Sequence, residues 1–210
     1  LEDRKTTVLT LKRNPEGGLT GNLTKTPGYI QSFAIRKLIA ESGQEVFIRS
    51  LQKDVPPGYS YSDITIDSLQ NLEGLVSIRS NINWRSDGKH VIYLNPMFGE
   101  GVMSSPFTST DRLYPVEMPY ILDETYILNL EIPPGYILQE LPKQLLAKLD
   151  AEGKSFFEYR IEVLGQSISL RSRIKLARTY FEPEEYESLR QFFSLVVSKH
   201  LERIVLKKIE

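Results

Sequence analysis

The sequence predicts an α+β protein, mainly antiparallel β in sandwich-like packing, with two helices in the first third and one at the C terminus. Three observations carry that expectation. Apolar residues recur with period two through the middle and last thirds, three-and-four spacing is found after Pro27 and again after Pro183, and Pro, Gly, Asn and Asp clusters punctuate the runs. The chain divides into an α+β lobe over residues 1–95 and a β-rich lobe with the terminal helix over 96–210, which could form one composite domain.

The first element is a hairpin. Thr- and Leu-rich runs at Thr6 to Lys12 and Leu19 to Lys25 flank Asn14-Pro15-Glu16-Gly17-Gly18, where Pro and Gly set the φ values that a reversal needs. Beyond Pro27-Gly28, Ile30, Phe33, Ala34 and Leu38 fall on one face of a helix over roughly 29–40. Ser42 then stands three residues before Glu45, the spacing of a reciprocal capping box, and predicts a second helix that ends before Pro56-Pro57-Gly58.

Strands follow. Val76, Ile78, Ile82 and Trp84 alternate with Ser77, Arg79, Asn81 and Asn83, as one buried and one wet face require. Ser86-Asp87-Gly88 reads as a turn, with His90 to Leu94 returning as the partner strand. Alternation recurs at Tyr126, Leu128, Leu130 and Ile132, at Phe157, Tyr159, Ile161 and Val163, and at Ile168, Leu170 and Ile174 beyond a turn at Gly165. Antiparallel hairpins rather than βαβ crossovers are expected here. Val55-Pro56-Pro57-Gly58-Tyr59 and Ile132-Pro133-Pro134-Gly135-Tyr136 read as two turns flanking strands, too few for a repeat. For the last helix, Pro183 suits the first turn, Glu184, Glu185 and Glu187 favour the positive end of the dipole, and Lys199 and Arg203 lie toward its negative end. Tyr186, Leu189, Phe193, Val196, Val197 and His200 form its docking stripe, and Ile204-Val205-Leu206 a closing strand.

Composition narrows the chemistry. At 210 residues and 40% hydrophobic the chain can bury a substantial core, and a net charge of -1 lacks the basic footprint of a nucleic-acid binder. No apolar run approaches the ~20 residues of a membrane span, and no signal-peptide pattern opens the chain. Leu1 in place of Met suggests a processed or cut piece of something longer. Cysteine is absent and histidine occurs twice, at His90 and His200, without metal-ligand spacing. Zero cysteine fits a reducing compartment or an exported bacterial protein. Ser-x-x-Lys occurs at Ser50 and Lys53, Ser86 and Lys89, and Ser172 and Lys175, without the companion motifs that give it meaning. Gly99-Glu100-Gly101 lacks the third glycine of a phosphate loop. The acidic cluster of Glu182, Glu184, Glu185 and Glu187 is better explained by the helix dipole than by paired acid and base carboxylates. No catalytic, cofactor-binding or metal residue is therefore nominated.

The segment from Pro96 to Thr108 is different, because Met97, Phe98, Val102, Met103 and Phe107 sit among Gly, Ser and Pro between strands. Such a loop either folds back on its own core or meets a partner. Trp84, Met97, Phe98, Met103 and Phe107 are the candidate docking residues.

Several stretches resemble a family. Tyr114-Pro115-Val116-Glu117-Met118-Pro119-Tyr120, Asp123-Glu124-Thr125-Tyr126, Ile132 to Tyr136 and Glu140-Leu141-Pro142-Lys143 resemble the C-terminal region of bacterial transglutaminase-like proteins, as do Phe181 to Tyr186 and Ile204 to Lys208. In that family a papain-related core is flanked by β-rich domains of unknown function, and the proteins are mostly exported. The core is expected to carry Cys, His and Asp, and this chain has no Cys, so no catalytic residue carries over. The resemblance implies a non-catalytic accessory region of a periplasmic or cell-envelope protein, with the transglutaminase-like core of the same polypeptide as its partner. Two other readings remain: an independent binding module for a peptide or cell-surface glycan, and a carboxylate-dependent hydrolase.

Overall fold

In a computed structural model, which describes residues 2–53, 58–85 and 89–209, the first reversal is organised by one side chain. Asn14 Oδ1 accepts the N–H groups of Glu16 at 3.1 Å and Gly18 at 2.8 Å, while Gly17 takes φ 85, so β1 (Glu2–Arg13) and β2 (Leu19–Thr26) meet as the predicted hairpin. Then come α1 (Tyr29–Ser42), α2 (Gln44–Lys53), β3 (Tyr59–Asp67), β4 (Ser77–Trp84) and β5 (Val91–Leu94). Next are β6 (Val116–Glu117), β7 (Ile121–Glu131), β8 (Tyr136–Glu140), β9 (Leu145–Lys148), β10 (Phe156–Leu164), β11 (Ser167–Lys175) and β12 (Tyr180–Phe181). A 3-10 turn at Pro183–Glu185 leads into α3 (Tyr186–Leu201) and β13 (Ile204–Lys208) closes the chain. The architecture is α+β with antiparallel pairing dominant, as the periodicity predicts.

Eight strands build one sheet in the order β3-β4-β2-β1-β7-β11-β10-β9, which draws on residues from both sides of position 95. Every neighbour pairs antiparallel except β1 and β7, which run parallel. A parallel pair needs a long connection, and residues 14–120, with β2 among them, supply it. Register aligns the apolar rows: Leu23, Leu9, Leu128, Leu170 and Ile161 lie side by side across five strands, all at most 3% exposed. Gly21 on β2 allows close backbone approach, since a Cβ there would meet the Thr10 carbonyl oxygen at 1.7 Å. A small sheet in the order β5-β13-β8 and the stripe of α3 join this face in one core.

Two expectations about the first third are corrected. Phe33 is 62% and Leu38 45% exposed, and Ala34 also faces solvent. The packed face of α1 is instead Ser32, Ile35 and Ile39, over a second cluster of Phe47, Val76 and Ile78. Polar bonds choose that face. Ser32 Oγ donates to the Pro27 carbonyl and accepts the Val76 N–H at 3.0 Å, and the Arg36 guanidinium donates to the carbonyls of Ser68, Leu69, Asn71 and Gly74. The Ser42–Glu45 capping box is not formed. Ser42 is the last residue of α1, its hydroxyl donating to the Leu38 carbonyl, and Gly43 at φ 87 breaks the chain between the helices.

A third correction concerns β5. It pairs with β13 rather than with β4, whose neighbours are β2 and β3. The expected Ser86-Asp87-Gly88 turn lies outside the described residues, as does the first part of Val55-Pro56-Pro57-Gly58-Tyr59.

Candidate functional site

Packing α3 on the large sheet sets His200 over a row of polar-tipped side chains. Register places Tyr159, Ser172, Tyr126 and Thr7 side by side across β10, β11, β7 and β1. His200 is 2% exposed, with Nε2 2.9 Å from Ser172 Oγ and its ring edge-on to Phe157 at 5.4 Å. That contact has the distance of a nucleophile and base. The other ring nitrogen decides its chemistry. Nδ1 accepts the backbone N–H of Val102 at 2.9 Å, so Nδ1 carries no proton and Nε2 carries the ring's single one. Nε2 therefore donates to Ser172 Oγ and cannot take a proton from it. Burial lowers the imidazole pKa to about 4, which keeps this neutral tautomer across physiological pH. The adjoining void of about 20 Å³ has room for about one water.

Three further carboxylates, Asp123, Glu185 and Glu187, are held in structural pairs. Asp123 is fully buried on β7; burial would raise its pKa, but a two-pronged bond from Arg173 at 2.8 Å, with Arg4 and Lys175 nearby, holds it below the ordinary carboxylate range. Arg173 thus ties β7 to β11, and Arg4 ties it to β1. At the start of the terminal helical segment, Glu185 accepts the Glu182 N–H and is clasped by Arg178, whose hydrogen bonds lower its pKa. Glu187 binds Arg190 and Gln191. Within the acidic cluster, Glu182 and Glu185 thus form the capping box of the 3-10 turn that leads into α3. Among the described residues no three His, Asp or Glu side chains gather as a metal site, and no helix is long and apolar enough to cross a membrane.

The five nominated docking residues divide unequally. Trp84, Met97, Phe98 and Phe107 are between 1% and 8% exposed in the chain's own core, whereas Met103 is 54% exposed. The turn after β5 explains this inward packing. Asn95 Oδ1 accepts the Met97 N–H, and Phe98 takes φ 49, aiming its ring edge-on at Tyr59 with centroids 5.3 Å apart. Phe107 is held edge-on by Tyr186 and Phe193 of α3.

A cleft of about 560 Å³ among the described residues was not anticipated. On one wall stand Tyr59 of β3 with Trp84 and Arg85 at the end of β4; on the other runs β5, flanked by Lys89 and Arg203. Burial, and then the nearby Tyr61, raise the Tyr59 pKa, so its hydroxyl stays protonated. Because the sequence pattern paired β5 with β4, the cleft between them could not be foreseen. The only usable signal was the cationic flank of β5, with Lys89 before it and Arg203 far away in sequence.

Comparison with known proteins places these features in a family. A solved structure from Parabacteroides distasonis, described as a "putative protease", is similar over 48% of this chain and 19% of its own, at 17% identity and a TM-score of 0.41. This chain thus spans about a fifth of that protein's length. No curated protein matches it. A family model described as a domain of unknown function with a solved structure, DUF3858, matches residues 90–206, from the approach to β5 through β13. With more than half of its length inside that match, the chain belongs to the DUF3858 family.

Proposed function

We propose that the chain is a non-catalytic accessory region of a larger exported cell-envelope protein, where it positions or shields a transglutaminase-like, cysteine-protease-like core of the same polypeptide. The observation that carries this reading is the His200 tautomer: His200 and Ser172, in contact among the described residues, are bonded in the sense opposite to base catalysis. Absence of any thiol supports it, because a core of that class needs one. The stretches that resemble transglutaminase-like proteins lie almost wholly inside the family match. Contact with the core has apolar surface available, since Tyr29 and Phe33 stand outward one helical turn apart on α1, Leu38 is exposed further along it, and Met103 projects from its loop.

Hydrogen exchange compared between the isolated chain and the intact polypeptide tests the reading. Added protection along α1 or around Met103 in the intact protein is expected, together with no turnover of peptide or amide substrates by the chain alone. Turnover by the isolated chain that Ser172→Ala abolishes would overturn it.

A further inference from the structure

The loop that follows Phe98 carries an inference that goes beyond an accessory role. Phe98 and Phe107 are buried on either side of it, and no residue from 99 to 106 between them is. Glu100 and Val102 of this loop line the void beside His200, together with Thr7, Tyr126, Ser172 and Ile174 of the large sheet. Gly101 lets the loop lie close, because a Cβ there would meet the His200 Cβ at 3.1 Å. The segment covers the row of polar-tipped side chains over which His200 sits.

Two side-chain contacts tie this cover down among the described residues. Val102 N–H donates to His200 Nδ1 at 2.9 Å, and Glu100 pairs with Lys25 of β2 at 2.6 Å. The other hydrogen bonds of the loop, from Glu100 N–H to the Met97 carbonyl and between Ser105 and Phe107, stay within the segment. The first tie needs a bare Nδ1. A ring that takes up a proton there presents one N–H to another while Nε2 goes on donating to Ser172, so acid breaks one bond of His200 and spares the other.

The charges around His200 are already paired. Glu124 of β7 pairs with Lys5 of β1 at 3.8 Å, Glu100 with Lys25, and Lys199, beside His200 on α3, with Glu202. Burial keeps the Tyr126 and Tyr159 hydroxyls of β7 and β10 protonated, and β11 presents the uncharged Ser172. Each carboxylate has its own cation, so a covered imidazolium would lack a counter-charge and is better solvated by water outside. We propose that residues 99–106 form an acid-released lid: a proton bound at His200 Nδ1 ejects the Val102 N–H, the loop swings away between its Phe98 and Phe107 anchors, and Ser172 and His200 meet solvent. Burial sets the direction. The covered ring takes up a proton at about pH 4 and the open one at its ordinary 6.5, so the open form gains steadily as pH falls below about 6.5. The lid belongs to the chain alone and does not depend on the role proposed above.

Amide exchange of the chain, followed residue by residue, tests the lid. From pH 7.5 to pH 5 the protection factor of the Val102 amide should fall at least about tenfold. Low urea separates local from global opening: Val102 exchange should hardly respond to it, while Leu128 and Leu170 of the large sheet, which exchange through global unfolding, should speed up. His200→Asn keeps an amide oxygen near the Nδ1 position that takes up no proton, and should hold Val102 protection level over the same pH range. Glu100→Gln removes the second tie and should leave the acid dependence in place. If His200→Asn fails to fold, Glu100→Gln and the urea response of the native chain decide. Val102 protection that stays constant, a urea response in step with Leu128 and Leu170, an acid dependence that persists in His200→Asn, or one that Glu100→Gln abolishes would each overturn the proposal. These outcomes are separate from the Ser172→Ala assay, which probes catalysis.

Discussion

The helices α1 and α3 are of similar length and both carry apolar residues at helical spacing, yet they are attached to the protein by different physics. The stripe of α3 enters the large core, with Leu189 and Val196 at 0% exposed. On α1 the most regular apolar positions face water, and the helix is held by Ser32, by Arg36 and by Asp3, whose carboxylate accepts the Ile30 N–H. Burial is non-directional and scales with area, so it selects the face of a helix laid on a large sheet. Where the surface beneath is small, a few directional bonds that would otherwise be left unmade outweigh it.

Substitutions can break that contrast, starting with the largest expected effect. Leu189→Ala empties a fully buried site and should destabilise the fold by about 2–5 kcal/mol in denaturant unfolding. Lowering the pH comes next. His200 has a pKa of about 4 when folded against 6.5 ordinarily, so the unfolded chain takes up the proton first; stability is fully present above about pH 6.5 and falls toward pH 4, by up to about 3 kcal/mol. His200→Gln should flatten that part of the pH profile in thermal melts, and an unchanged slope would assign it to other groups. On α1, Ser32→Ala leaves the buried Val76 N–H without its acceptor and should cost about 2 kcal/mol. Phe33→Ser, on the exposed face, should change the isolated chain's stability by less than about 0.5 kcal/mol. If Phe33→Ser proved the more damaging of these two, the polar account of α1 would fail.

The cleft and the His200 site make a parallel contrast. His200 was legible as part of the α3 stripe, because its neutral ring behaves there as a packing group. Its Ser172 partner was not, because 28 residues separate them and only the β11 register turns Ser172 toward the helix. The cleft was less legible still. Its walls come from β3, β4, β5 and Arg203, and the expected pairing of β5 with β4 would have covered the edge that lines it. Among the nominated docking residues, an apolar loop of this composition was compatible with packing inward or outward, and the positive φ of Phe98, a tertiary choice, sends its ring inward.

Alternation in strands, punctuation at turns and the dipole-matched terminal helix are local properties, and the amino-acid order by itself determined them: the α+β class, the first hairpin, β4, β7, β10, β11, α3 and β13. Strand partners, the parallel seam between β1 and β7, the buried face of α1 and the tautomer of His200 were decided only in the tertiary structure. The reason is physical. Periodicity states which side of an element seeks burial, but a partner is chosen by the summed fit of groups far apart in sequence, and a hydrogen bond has no direction until both of its ends are in place.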